Sequence, residues 1–230
     1  MKIKILRNIR KEWTKNLEKE LVLFLKSNSF EIVKKGADIT ICIGGDGTIF
    51  YFNHINSIEG SIVGIGSESS HICQIRKDNW KKILLPLILR KKAETRITLI
   101  ATLGKNKFSA INDIVLHTAD YRLIRVFYSI DSQNKSFDGD GIILSTPTGS
   151  TAYAYSAGGI IIDEPVEAIE LVPICPYKRL VSPSIVHEKS EISFYSDRIA
   201  DFVIDGIFIK KLKAGEKIHV KKGKSISFLV

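Results

Sequence analysis

The stretch Ile41-Cys42-Ile43-Gly44-Gly45-Asp46-Gly47-Thr48-Ile49 joins an apolar run to a glycine-rich turn that contains a single acid. Glycine enters positive-φ turns without a Cβ penalty and lets backbone N–H groups converge on anionic oxygens, so the junction reads as a strand running into a phosphate loop. Asp46 is the odd member of such a loop. A carboxylate repels phosphate unless a metal intervenes or it takes a proton from a hydroxyl, and this points to phosphoryl transfer more than to simple phosphate binding. The loop has neither the Lys-Ser/Thr pair of a Walker loop nor the spacing of a G-x-G-x-x-G fingerprint. A purely structural alternative has Asp46 capping a helix that begins near Thr48.

Around this loop the chain falls into two styles. Through about residue 92, short apolar strands at 3–6, 39–43 and 61–65 alternate with helical patterns, the signature of an open α/β sheet. Trp13, Leu17, Leu21, Phe24 and Leu25 recur at helical spacing and are expected to face the core, as are Trp80, Ile83, Leu84, Leu87 and Ile88, with Pro86 kinking that helix or marking its early turn. From Thr95 onward strand follows strand, at 95–103, 111–117, 121–131, 142–145, 169–173, 191–195, 202–204 and 218–220. Such spacing predicts a mainly antiparallel β-domain. The expected fold is therefore an α/β open-sheet domain over residues 1–92 that carries the glycine loop, followed by a β-rich domain over residues 93–230. Residues 150–158, rich in Ala and Tyr, are expected to form one short helix inside the second domain.

Charge narrows the class of partner. Thirty-four Lys and Arg against 25 Asp and Glu give a formal +9, which favours anionic ligands, but the cations come in scattered doublets such as Lys34-Lys35 and Lys210-Lys211. That scatter describes a solvated surface and not a dedicated nucleic-acid patch. Cys42, Cys73 and Cys175 are too widely spaced for a metal or disulfide framework, and none of the five histidines forms a metal-like pair, so no protein metal site is expected. His71 reads as a surface or structural residue. No apolar run approaches the ~18 residues of a membrane span, and a cytoplasmic protein is expected.

A second constellation lies about a hundred residues downstream of the glycine loop. It begins Asp138-Gly139-Asp140-Gly141 and runs through Ser145-Thr146-Pro147-Thr148-Gly149-Ser150-Thr151-Ala152-Tyr153-Ala154-Tyr155-Ser156 to Gly159. Read on its own, its first part is a turn or a calcium loop, although the spacing and the closing Glu of an EF-hand are missing. Together with residues 44–48, Asn112-Asp113, Pro173-Ile174-Cys175-Pro176 and Asp205-Gly206, the block closely resembles the NAD kinase family, whose members phosphorylate the adenosine-ribose 2′-hydroxyl of NAD to make NADP.

The resemblance implies roles. Gly44, Gly45, Gly47 and Thr48 would face the phosphates of ATP, and Asp46 would accept the 2′-hydroxyl proton, since an alcohol is a poor nucleophile at neutral pH. ATP or polyphosphate would be the donor, accompanied by Mg²⁺ or another divalent cation with few protein ligands. Asn112 and Asp113 suit ribose hydroxyls and the nicotinamide side of NAD, and Asp140 suits a carboxamide N–H₂. Thr148, Ser150, Thr151 and Ala152 would offer N–H groups and hydroxyls to adenine and phosphate, and Tyr153 would meet the ribose. Ser156 matches a position that touches adenine from a neighbouring subunit, which carries a homodimer or homotetramer with it. Asp205 matches an acid near the active site. Two rivals stand beside this reading: a lipid or sugar kinase sharing the glycine loop, and a non-enzymatic nucleotide binder.

The sequence also departs from the family pattern. After Gly64-Ile65 the expected Asn-x-Gly-x-Leu-Gly-Phe is replaced by Gly66-Ser67-Glu68-Ser69-Ser70-His71-Ile72-Cys73. Asp138 stands where many relatives carry a basic or different residue, and the chain ends in the strand-like run 225–230 instead of a helical tail.

Overall fold

The computed structural model describes all 230 residues, which group into two compact units, Met1–Arg96 with Ile226–Val230, and Ile97–Ser225. In the first unit, strands β1 (Lys2–Arg7), β2 (Glu31–Ile32), β3 (Ile39–Ile43), β4 (Ser61–Gly66), β5 (Ile75–Arg76) and β6 (Ala93–Arg96) share one sheet with the last strand of the chain, Ile226–Leu229. β1, β3 and β4 run parallel, with Ile5 beside Ile41 and Ile41 beside Val63. Every residue of β3 is buried, which explains its near-continuous apolar sequence, because a parallel strand is covered on both faces.

Helices α1 (Glu12–Ser27) and α2 (Asp46–His54) connect parallel strands, and α3 (Trp80–Arg90) leads from β5 into β6, which is antiparallel to its neighbour. α1 buries Leu17, Leu21 and Leu25 at four-residue intervals, and α3 buries Trp80, Leu84, Leu87 and Ile88. Their aromatic rings meet where Phe24 and Trp80 pack edge to face with centroids 5.3 Å apart. Each fully buried Leu or Ile in this cluster contributes about 1.5–3 kcal/mol relative to exposure. Pro86 sits inside α3, which forgoes one backbone bond there and continues to Arg90.

The second unit is a sandwich of two six-stranded antiparallel sheets. One contains β7 (Leu99–Leu103), β8 (Asn106–Ala110), β10 (Ile124–Ile130), β11 (Gln133–Gly139), β15 (Ile192–Ser196) and β18 (Ile218–Lys222); the other contains β9 (Asp113–Thr118), β12 (Gly141–Ser145), β13 (Ala168–Ile174), β14 (Ser184–His187), β16 (Ala200–Ile204) and β17 (Ile207–Leu212). Alternation assigns the faces of the second sheet. Ile114, Leu116, Ile142, Leu144, Ile169 and Leu171 join the core shared with Leu99, Val126 and Phe194, whereas Val115, Ile143, Val172 and Ile174 cluster with Ala154 of the short helix α4 (Tyr153–Ser156). No helix of the structure is long and apolar enough to cross a membrane.

Three expectations change. The predicted strand 95–103 is two strands, β6 and β7, separated at Ile97 and Thr98. The chain's last strand (β19, Ile226–Leu229) lies between β4 and β6, with Phe228 beside both Ile62 and Glu94, so Ala93–Arg96 and the final five residues belong to the first unit and not to the β-rich one. Phe228 is fully buried and Arg96 lies over its ring at 4.6 Å, which fixes the pairing. The helix expected over 150–158 is a single 3-10 turn, Gly149–Thr151, and then α4, broken at Ala152, where φ −104° and ψ −122° leave the helical region.

Candidate functional site

In the first unit the glycine loop is built by close approach. Gly44 (φ 147°) has no room for a side chain, since a Cβ there would lie 2.3 Å from Thr48 Oγ1 and 2.6 Å from Asn8 Cβ. Gly45 (φ 103°) makes the turn into α2 in a conformation that L side chains rarely adopt. Gly47 is different: a Cβ there would meet nothing within 4 Å, so the glycine keeps the space above the loop clear. A cavity of about 380 Å³ opens here, lined by residues 44–48, Asn8, Lys11 and three serines of the following loop, Ser67, Ser69 and Ser70.

Asp46 begins α2 but does not cap it, because no side-chain cap bond is made at that end. Its carboxylate instead accepts three backbone N–H groups from the loop after β4: Oδ2 takes His71 at 2.7 Å, and Oδ1 takes Ile72 and Cys73 at 3.1 Å each. The Cys73 thiol hydrogen-bonds to the same carboxylate, so residues 71–73 supply four donors to a group that offers about four lone-pair sites. The same surroundings act on Cys73, whose thiol is pushed up by burial and by the Asp46 charge. Burial raises Cys42 to about 12, an inert core thiol. Thr48 is buried and its hydroxyl has no partner in the chain.

In the second unit, Asp205 occupies the β16–β17 turn with φ 48°, followed by Gly206 at 74°. Its carboxylate reaches back to the strand before the site and accepts the N–H groups of Ile111 (2.8 Å), Asn112 (2.7 Å) and Asp113 (3.1 Å). Burial raises Asp205 to about 6 against the lowering effect of those three donors, and burial together with the Asp205 charge raises Asp113 to about 7. Asn112 presents a buried side-chain oxygen with no partner, while its carbonyl receives the Thr146 N–H at 2.8 Å. Gly149 must be glycine, because a Cβ would come within 2.3 Å of that same carbonyl.

Asp140 joins this group from the β11–β12 connection. Its backbone is fixed by bonds from Asp140 N–H to Ile174 O and from Thr118 N–H to Asp140 O, at 2.9 and 2.7 Å. Its carboxylate pairs with the Cys175 thiol, and Tyr153 is raised by burial and then by the charges at Cys175, Asp113 and Asp140. Asn112, Asp113, Asp140, Tyr153, Cys175 and Asp205 are thereby one neighbourhood, with Tyr153 42% exposed at its rim.

The turn residues divide. Ser150 is wholly buried, and its hydroxyl donates to Pro147 O at 2.7 Å and accepts Ile162 N–H at 2.9 Å, so it holds the turn together and has no exposed surface for a ligand. Thr148 donates to Glu164 at 2.9 Å. Thr151 and Ser156 are exposed and bond only to nearby carbonyls, those of Thr148 and Ala152.

A model of the ATP-NAD kinase C-terminal domain matches residues 111–230, and the chain is 32% identical to the NAD kinase of Fusobacterium nucleatum over 97% of its own length and 89% of that protein's. The chain belongs to the NAD kinase family. The NAD kinase of Methanosphaera stadtmanae is also 32% identical, over 97% of this chain and 84% of that one. Among solved structures, yeast NADH kinase complexed with NADH superimposes with a TM-score of 0.90 at 22% identity, covering all of this chain and 83% of the other. An Archaeoglobus fulgidus NAD kinase in complex with ATP gives 0.83 at 22% identity, covering 100% and 94%. These likenesses establish an NAD kinase fold.

The loop 66–73, which departs from the family pattern, holds Asp46 through the backbone N–H groups of its last three residues. Asp138, the other departure, forms a two-pronged ion pair with Arg125 directly across the β10–β11 ladder, at 2.7 and 3.0 Å, which holds its carboxyl below the usual range. Sequence reasoning missed Asn8, Lys11 and the serines. The signal that could have found Lys11 is its place just after β1, since ligands in open α/β sheets bind beyond the carboxyl ends of the strands.

Proposed function

We propose that the chain transfers the γ-phosphate of ATP to the adenosine-ribose 2′-hydroxyl of NAD, giving NADP and ADP. The 2′-oxygen forms a bond to the γ-phosphorus, the bond from that phosphorus to the β,γ-bridging oxygen breaks, and the hydroxyl proton passes to Asp46. The observation that carries this reading is the carboxylate of Asp46 in a glycine loop, held in place by residues 71–73 and lining the 380 Å³ cavity. Gly44, Gly45, Gly47 and Thr48 face the donor phosphates. On the second unit, the free oxygen of Asn112 and the carboxylates of Asp113 and Asp140 receive NAD hydroxyl and amide donors, with Tyr153 against the ribose. Thr148, Thr151 and Ala152 supply the adenine side, while Ser150 and Asp205 act by holding backbone in place.

The donor enters as its magnesium complex, with the cation part of the substrate. One carboxylate already engaged by three N–H groups is a poor dedicated metal site, and no group of three His, Cys, Asp or Glu side chains is placed to hold an ion. A homo-oligomer with Ser156 completing the adenine pocket of a neighbouring copy belongs to the same reading. Its support is the exposed apolar set around α4 and β14, including Tyr155, Ile160, Ile161, Tyr177, Leu180 and Ile185. Purified chain incubated with ATP, Mg²⁺ and NAD and assayed for NADP tests the activity, with polyphosphate in a parallel reaction to rank the donors. Light scattering tests the assembly, and a fully active monomer would remove the role of Ser156 in trans.

A further inference from the structure

Lys11 follows the first strand and leans over the glycine loop, where its ammonium donates to the carbonyl of Gly44 at 2.6 Å. That carbonyl is its only partner, and no carboxylate neutralises it. Two of its three N–H donors therefore remain unfilled at the edge of the 380 Å³ cavity. Two further observations show that the same cavity wants an anion. The N–H groups of Asp46 and Gly47, at the start of α2, find no acceptor in the chain. Independently, Thr48, one of the residues lining the cavity, is only 3% exposed, and its buried hydroxyl has no partner in the chain. The one acid present, Asp46, has most of its acceptor capacity turned to residues 71–73.

We infer that Lys11 is the positioning cation for the transferring phosphoryl group, swinging from the Gly44 carbonyl onto the terminal phosphate oxygens of the donor. This rests on the phosphoryl-transfer reading above and adds to it a named source of positive charge. In phosphoryl transfer there is little covalent work for the protein, and catalysis is positioning plus neutralisation of charge on the equatorial oxygens. A glycine loop provides dipoles but no full charge, and Lys11 provides it. Lys11 itself forms no bond and loses no proton in the step. Its single contact to a carbonyl is weak enough to exchange for a charge-assisted bond to phosphate.

The test uses the full chain and inorganic tripolyphosphate, whose binding is read by calorimetry without NAD or turnover. Lys11→Gln is expected to weaken tripolyphosphate binding on the order of tenfold or more, and Lys11→Arg to restore most of it. Lys81→Gln, an exposed lysine paired with Glu20, should leave binding unchanged. In the coupled reaction, kcat of Lys11→Gln should fall about tenfold to a hundredfold with the KM for NAD within about twofold of the parent, at an equal melting temperature. Tripolyphosphate binding by Lys11→Gln equal to that of the parent, or no binding by the parent at all, would overturn the assignment. Parent protein that binds tripolyphosphate through Lys11 yet makes no NADP would sink the NAD kinase reading and leave Lys11 as a phosphate ligand.

Discussion

Asp205 Oδ1 accepts the backbone N–H of Asn112 at 2.7 Å, across 93 positions of sequence. The bond is one of three from the same carboxylate to successive residues, so the Asp-Gly turn at 205–206 sets the backbone that presents Asn112 and Asp113. Asp205→Ala leaves three buried N–H groups without an acceptor. Each such group costs about 1–3 kcal/mol, partly offset by relieving Asp113 of a like charge, and a net loss of about 2–4 kcal/mol is expected with a raised KM for NAD. Chemical denaturation of the variant measures the first and steady-state kinetics the second; an unchanged midpoint would show that the turn is not needed to hold the site.

Asp46→Asn separates base from scaffold. The amide cannot take the 2′-hydroxyl proton, so kcat should fall by roughly 10²–10⁴. The asparagine has one acceptor oxygen where the loop at residues 71–73 offers three donors, and a melting temperature lower by a few degrees should accompany the kinetic loss. Turnover near that of the parent would remove Asp46 as the base.

Asp140→Asn tests recognition of the acceptor. Loss of a charge-assisted hydrogen bond should weaken NAD binding by about 1.5–3 kcal/mol and leave ATP binding nearly intact. Separate titrations of the two ligands distinguish this from an architectural role, in which both affinities would drop together.

The buried pair Asp113 and Asp205 predicts a pH dependence of stability. Both carboxyls have folded values raised above the ordinary 3.8, to about 7 and about 6, so the folded state binds protons more tightly than the unfolded one. Their contribution is fully present below 3.8 and is lost as pH rises through about 6 and 7, where ionisation of the buried pair is completed. Asp113→Asn should flatten the fall in melting temperature between about pH 4 and about pH 7. An unaltered slope in that variant would mean that Asp113 does not titrate in this range.

Much of this was legible in the sequence, for identifiable reasons. Gly44 and Gly45 announce a positive-φ turn because glycine enters that region without a Cβ penalty, and Ile114, Val115 and Leu116, apolar on successive positions, announce a sheet covered on two faces. What stayed hidden has no local signature. The pairing of Phe228 with Ile62 joins distant residues, and nothing in either segment specifies the other. The N–H groups that hold Asp46 belong to His71, Ile72 and Cys73, and backbone donors are the same whatever side chains accompany them. Ser150 reads as a ligand hydroxyl because the sequence does not say that Pro147 and Ile162 already occupy it. Lys11 reads as one more surface cation until the strand order brings it beside Gly44.

The position of β19 bears on how the chain acquires its structure during synthesis. Residues 97–225 form a self-contained unit, whereas the sheet of the first unit has a gap between β4 and β6 until residues 226–229 arrive. Domains generally fold as units while the chain emerges, and long-range pairings form late because the intervening loop must first be closed. The β-sandwich can therefore fold before residues 226–229 have been made. The sheet of the first unit must wait for residues 226–229, and deleting them would leave β6 and the Ile62 end of β4 without the strand that joins them.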